Sequence, residues 1–267
     1  MNNGFELNRI KTIAIDLDGV VYQGDALIAG ADISVDRLRE MGFGVVFVTN
    51  GEVKSRFDIA DKLKGMGILT GENEVLTSSY MAGCLIKKIG GLNQRVFVVG
   101  AKRLSEEITF SGSLVVTEPP IDIVVVGMDV SITYQKIHRA MEAIIGGAIF
   151  IACNRDANFP SDNGRLFPGC GSMVAAIESA TGFPPEYVAG KPSVYMLEII
   201  AERYGLRPDE ILVIGDGIDS DIQMAILYGS PSVLINSRGI SGRKLKLPTF
   251  VMSSLIELPV LLGRKND

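Results

Sequence analysis

The sequence predicts an α/β protein in three layers, a parallel sheet flanked by helices, with a second α/β segment inserted into it. Apolar strand-like runs alternate with helical patterns over nearly all of the 267 residues, and such alternation favours parallel strands joined by helical crossovers. Polar or acidic residues gather just past the ends of only some of those runs, as ligand-handling sheets require. With 47% hydrophobic and 21% charged residues, the chain can bury a large core, which excludes a disordered protein.

Residues 12–15 form the first predicted strand, and it runs directly into Asp16 and Asp18 in the segment I-D-L-D-G. Two carboxylates held this close repel, so the site either raises one pKa or recruits a cation. Both outcomes suit phosphoryl chemistry, with one aspartate as nucleophile and the other moving the proton. An Asp-rich turn that simply closes the strand is the plain alternative. The second strand, 45–48, runs into Thr49-Asn50-Gly51. A hydroxyl, an amide and loop N–H groups at a strand end suit phosphoryl oxygens, while a helix N-cap would use the same residues.

Strands at 96–99, 123–126 and 149–152 follow, with helical patterns between them. One helix should be capped by Thr133 and stopped at Gly146 and Gly147. The single histidine, His138, falls beside its apolar stripe of Ile137, Met141 and Ile144, and so reads as a surface residue. One histidine excludes a histidine metal cluster and leaves acid–base work to carboxylates and lysine.

Farther along, Lys191 sits between a glycine and a proline just ahead of a helix. A lysine in so constrained a turn can be aimed inward as a fixed charge, or it can be an ordinary solvated lysine. The helix after it should take Ser193 as N-cap, present an apolar face of Leu197, Ile200 and Tyr204, and stop at Gly205. Strand 211–214 delivers Gly215-Asp216, and Asp219 and Asp221 open the next helix, where acidic residues also stabilise the first turn in their own right. Strand 232–235 is the last clear one. The D-x-D-G spacing at 16–19 is wrong for a calcium-binding EF-hand loop.

Composition narrows the function further. The formal net charge of −5 argues against a nucleic-acid binder, which carries a basic surface. Three widely spaced cysteines, Cys84, Cys153 and Cys170, fit reduced thiols better than a disulfide frame or a zinc site. No signal segment and no apolar run of membrane-spanning length is visible. The expectation is a soluble, cytoplasmic protein without membrane or nucleic-acid partners.

D-x-D-G, T-N, K-P and G-D-x₄-D occur here in one order, and in that order the chain resembles the haloacid dehalogenase (HAD) superfamily of phosphohydrolases. DLDGVVY, VTNG, GMD, PGCGSMVAAIE, AGKPS and GDGIDSDI are similar to its 4-nitrophenylphosphatase and nucleotide monophosphatase-like branch, class IIA, over about residues 10–260. The resemblance implies a Rossmann-like parallel core, residues 1–79 and 188–267, with an α/β cap at 80–187 and hinges near 77–79 and 187–190. It implies a Mg²⁺-dependent phosphatase acting on a small-molecule phosphate ester: a nucleotide, a sugar phosphate, phosphoglycolate or an aryl phosphate. Asp16 would be the nucleophile that becomes an aspartyl-phosphate, and Asp18 the acid and base. Thr49, Asn50, Gly51 and Lys191 would hold the phosphoryl group. The Asp16 carboxylate, the Asp18 backbone carbonyl and Asp216 would hold the metal, with Asp221 in or near its second layer of ligands.

Cys153, Phe159 and Gly217 depart from residues common in that branch; Phe159 would flank the leaving-group pocket. The loop 169–172 could also lend N–H groups to a substrate anion. The sequence admits a homodimer.

Two other readings compete. A receiver-like signalling module also phosphorylates a strand-end aspartate, but it is far shorter and lacks the positioned acid two residues on. Carbon–halogen or carbon–phosphorus cleavage has no need of Asp18. No G-x₄-G-K-[ST] or complete G-x-G-x-x-G motif is present, which disfavours NTP-driven or dinucleotide chemistry.

Overall fold

The structure, a computed structural model, describes residues 7–160, 165–235 and 248–263; residues 161–164, part of a predicted Pro/Gly-rich loop, lie outside them. The chain divides into two compact units. One comprises Met1–Thr49, Phe57–Leu76 and Lys191–Asp267, the other Asn50–Arg56 and Thr77–Gly190.

The first unit is built on a six-stranded sheet in the order Phe250–Met252, Ser232–Ile235, Ile211–Gly215, Thr12–Asp16, Gly44–Thr49, Val75–Thr77. The pairings of Thr12–Asp16 with both of its neighbours are parallel, Thr12 opposite Ile211 on one side and Gly44 on the other. β-Branched residues dominate these strands, and every residue of Thr12–Asp16 is buried, as a sheet covered on both faces requires. On one face Ile13, Ile15, Phe47, Leu212 and Ile214 pack in one cluster with Val35 and Leu38 of helix Ala31–Glu40 and Ile59 and Leu63 of helix Arg56–Gly65. Each such side chain contributes roughly 1.5–3 kcal/mol by leaving water.

Strand order reverses beside Thr12–Asp16: the chain builds the sheet outward on one side, then returns to build the other side from Ile211–Gly215. At such a switch point the crevice past the strand ends is left uncovered by crossovers, and ligands bind there.

The second unit has its own five-stranded sheet, ordered Tyr187–Val188, Ile149–Ala152, Ile123–Val126, Arg95–Val99, Leu114–Val115, with parallel pairings throughout. An antiparallel pair, Asn158–Pro160 with Leu166–Pro168, follows. Helix Tyr134–Ile145 is capped as expected, the Thr133 side chain accepting from the Lys136 N–H at 3.2 Å. His138 lies half-exposed on that helix, stacked on Tyr134 and 3.6 Å from Glu142.

All seven strands expected from the sequence are present to within one residue at each end. The Ser193 cap is not. Helix Tyr195–Tyr204 starts one residue later than that cap implies, behind Val194, whose carbonyl accepts the first helical N–H bonds, from Leu197 and Glu198. The turn begun by Lys191-Pro192 runs on through Ser193 and delays the helix. The stop at Gly205 holds, in the left-handed conformation. Cys84, Cys153 and Cys170 are free thiols, the last two buried. Among the described residues no helix is long and apolar enough to cross a membrane.

Candidate active site

Three adjacent strands of the first unit end in polar residues because their apolar runs stop together. Asp16 closes the central strand opposite Val48, Thr49 closes its neighbour, and Asp216 follows Gly215 on the other side. Asp16 and Thr49 are each 5% exposed. Past Gly215 the chain makes a single π-helical turn, Ile218–Ile222, which carries Asp221 back over the strand end. A Cβ on Gly215 would lie 2.2 Å from the Asp221 carboxyl carbon, so the glycine is what lets Asp221 approach. π-Turns of this kind recur at functional sites.

These carboxylates converge on Lys191. Its ammonium, 3% exposed, donates to Asp16 Oδ1 at 2.5 Å and to Asp221 Oδ1 at 2.7 Å. Asp221 Oδ2 accepts from the Gly217 N–H and the Ser220 hydroxyl. Both oxygens of Asp221 are thus engaged by protein donors, and it serves to aim Lys191. Burial would discharge the lysine, but the charges and hydrogen bonds of Asp16 and Asp221 outweigh it and push its pKa up.

One oxygen from each of Asp16, Asp216 and Asp221 can lie within 4.8 Å of the others. Burial foremost, then the neighbouring carboxylates, push Asp16 well up against the pull of Lys191. Asp216, more accessible, is pushed up to about 6 by desolvation and by Asp221. Three carboxylates around one ammonium carry surplus negative charge. All-oxygen donors of that charge fit a hard divalent cation rather than zinc, which favours nitrogen and sulfur.

Asp18 lies in the turn after the central strand and is exposed, between buried Leu17 and half-buried Gly19. The turn is tight: the Val21 and Tyr22 N–H groups donate to Leu17 O, and the Gly19 N–H donates to Tyr22 O at 2.8 Å. Gly19 has φ +80°, and a Cβ there would lie 2.1 Å from Asp216 Oδ2.

Of the remaining residues expected at the site, Asn50, Gly51 and Phe159 belong to the second unit. Asn50 donates through Nδ2 to Asp156 Oδ2 at 2.9 Å, and its carbonyl accepts from Ser78 and Asn154. Gly51 is exposed beside it. Phe159 stacks on Phe167 with ring centroids 6.0 Å apart. In the glycine loop at 169–172, Gly169 N–H donates to Ala157 O and Gly171 N–H to Asp156 O, both at 2.9 Å, and Ser172 N–H to Gly169 O at 3.0 Å, so these three N–H groups are engaged within the protein.

Two residues near these motifs escaped the sequence reading. Tyr22 ends D-L-D-G-V-V-Y and folds back on the Asp18 turn, a return that the D-G pair four residues earlier could have signalled. Glu52 follows Thr49-Asn50-Gly51 and is buried, accepting from the Met128 N–H at 2.6 Å and from Asn154 Nδ2 at 2.5 Å; no sequence pattern marks it.

A family profile described as haloacid dehalogenase-like hydrolase matches residues 13–113, and a second, HAD-hydrolase-like, matches residues 188–258. Sugar-phosphatase AraL of Bacillus subtilis is 36% identical over 252 residues, 93% of this chain and 92% of that protein. The crystal structure of a 4-nitrophenylphosphatase from Thermotoga maritima is similar with TM-score 0.88 at 30% identity, covering 95% of this chain and 98% of the other. That of a glycerol phosphate phosphatase from Mycobacterium tuberculosis, in complex with magnesium, has TM-score 0.84 at 31% identity and covers 93% and 77%. By these likenesses, and by the motif residues that its central strands bring together, the chain belongs to the haloacid dehalogenase-like hydrolase family and is a phosphatase of the phosphoric monoester hydrolase type.

Proposed function

We propose that this protein is a Mg²⁺-dependent phosphatase of small metabolites that works through an aspartyl-phosphate on Asp16. The observation that carries the reading is the buried Lys191 ammonium bridging Asp16 and Asp221, with Asp216 completing a cluster of carboxylate oxygens within 4.8 Å. Asp16 attacks phosphorus as its carboxylate, and the bond to the leaving oxygen breaks. Asp18 gives that oxygen a proton, then takes one from the water that hydrolyses the aspartyl-phosphate. Inorganic phosphate leaves and Asp16 is restored. Lys191 offsets charge on Asp16 and on the phosphoryl oxygens, and the Thr49 hydroxyl donates to those oxygens. Such transfer is largely positioning and charge stabilisation.

Asp16, Asp216 and the Asp18 backbone carbonyl would hold Mg²⁺, which when bound neutralises charge on the phosphoryl oxygens. A relative of similar fold is described in complex with magnesium, which supports the choice of ion. Named relatives act on sugar phosphates, glycerol phosphate and 4-nitrophenyl phosphate, which supports a small phosphomonoester as substrate. Free buried thiols support a reducing, cytoplasmic setting.

The test is hydrolysis of 4-nitrophenyl phosphate. Activity should require Mg²⁺, vanish with EDTA, and fall at least about 10³-fold in Asp16→Asn, whose amide cannot form the covalent intermediate. Full activity in Asp16→Asn would sink the mechanism.

A further inference from the structure

Between Thr49 and helix Arg56–Gly65 the chain crosses residues 50–55 with no strand or helix to fix its backbone. Side chains of the second unit, to which these residues belong, do the fixing. Asn50 is tied at both ends. Its carbonyl accepts from Ser78 Oγ at 2.9 Å and from Asn154 Nδ2 at 3.1 Å, while its own amide donates to Asp156 Oδ2 at 2.9 Å. The Asp156 N–H donates in turn to Asn154 Oδ1 at 3.0 Å. Asn50, Asp156 and Asn154 thus close a ring, and Asn154 is 3% exposed.

Glu52 aims the Asn154 amide. Its Oε1 accepts from Asn154 Nδ2 at 2.5 Å and its Oε2 from the Met128 N–H at 2.6 Å, while its carbonyl accepts from Ser79 Oγ at 3.3 Å. Two glycines make room for this arrangement. A Cβ on Gly127 would lie 2.2 Å from Glu52 Oε2, and one on Gly190 would lie 2.5 Å from Asn50 Oδ1. Burying a carboxylate among neutral donors is costly, and filling a core calls only for an apolar side chain. A carboxylate, however, can grip two donors at once, and one of these is the amide that holds Asn50. We infer that Glu52 is a positioning residue for the reaction proposed above: through Asn154 it fixes the Asn50–Gly51 backbone in the shape that binding of the phosphoryl oxygens needs. This rests on the assignment of Thr49, Asn50 and Gly51 to the phosphoryl group.

Orthovanadate mimics that group and carries no leaving group, so its binding reads the shape directly. Its inhibition constant is measured with Mg²⁺ against 4-nitrophenyl phosphate hydrolysis at pH 8, where Glu52 carries its charge. That constant does not depend on the folded fraction of a preparation. In Glu52→Gln an N–H₂ group faces either the Met128 N–H or the Asn154 amide, and one grip is lost. The constant should rise about 10- to 100-fold, the scale of a misplaced phosphoryl donor. Asn154→Ala cuts the same link from its other side and should raise it as much. In both variants the ratio of kcat/KM between phenyl and 4-nitrophenyl phosphate should stay within about twofold of wild type, since the leaving group is untouched. Ile123→Val trims the buried core at the far end of the strand that leads to Gly127 and should leave the constant unchanged. An unchanged constant in Glu52→Gln or Asn154→Ala, an equal rise in Ile123→Val, or a shifted ester ratio would overturn the inference. Thr49→Val separates this failure from failure of the reading beneath it. If Thr49→Val raises the constant and Glu52→Gln does not, the positioning role fails alone. If Thr49→Val also leaves it unchanged, the loop assignment fails and takes this inference with it.

Discussion

Lys191 and Glu52 show how differently two buried charges are settled. Lys191 is enclosed by two carboxylates at hydrogen-bond distance and stays charged. Glu52, 4% exposed, is met by neutral donors, the Met128 N–H and the Asn154 amide. Desolvation therefore dominates and pushes its carboxyl up to about 7 from an ordinary 4.5. The folded state then binds the proton more tightly than the unfolded chain does. Its contribution to stability is complete below about pH 4.5 and is lost as pH rises through about 7, a change of about 3 kcal/mol across the window. Glu52→Gln cannot titrate, although its amide N–H₂ would face one of two donors and cost stability at every pH. The variant should thus be least stable relative to wild type near pH 5 and regain roughly 2–3 kcal/mol of that deficit by pH 8. Urea unfolding at the two pH values measures it, and a deficit that does not change with pH would remove Glu52 as the titrating group.

At the scale of elements, the turn after the central strand is tightly constrained. Gly19 is in the left-handed region at φ +80°, where a side chain costs about 1 kcal/mol, and an added methyl would overlap Asp216 Oδ2. Asp216 is an accessible side chain and can swing away, so Gly19→Ala should fold, lose about 1–2 kcal/mol, and need at least about tenfold more Mg²⁺ for half-maximal activity. A magnesium titration of the rate decides it: an unchanged requirement would show that Asp216 does not need its present place. The sequence marked this turn through D-x-D-G, and it marked every long strand, because runs of four or more apolar β-branched residues carry their own signal. It did not mark Val75–Thr77, Leu114–Val115, Tyr187–Val188 or Phe250–Met252. Strands of two or three residues show no periodicity, and neighbours alone decide that they pair. Asp16, Asp216, Asp221 and Lys191 were legible because charged residues beside buried apolar runs need partners. Tyr22 and Glu52 were not, since an aromatic near a turn and a glutamate near a loop are ordinary until folding buries them.

For the whole chain, the decisive fact is how far apart in sequence the clustered groups lie: Asp16, Lys191, Asp216 and Asp221 meet only once the sheet has closed around its switch point. No comparable site exists in the unfolded chain, so a cation bound there binds the native state and adds its free energy to folding. At a hundredfold excess over its dissociation constant, Mg²⁺ should stabilise by about 2.7 kcal/mol, raising the thermal midpoint by roughly 5–10 °C for a protein of this size. A chain of net charge −5 also gains from any added cation through screening, and that component must be separated. Sodium chloride at matched ionic strength supplies the screening without the coordination, and Asp216→Asn removes one ligand while changing the net charge by a single unit. The rise with Mg²⁺ should exceed the rise with sodium chloride in wild type, and the excess should disappear in Asp216→Asn and on addition of EDTA. Equal rises in the two salts would mean that the carboxylates share their surplus charge with Lys191 and protons alone.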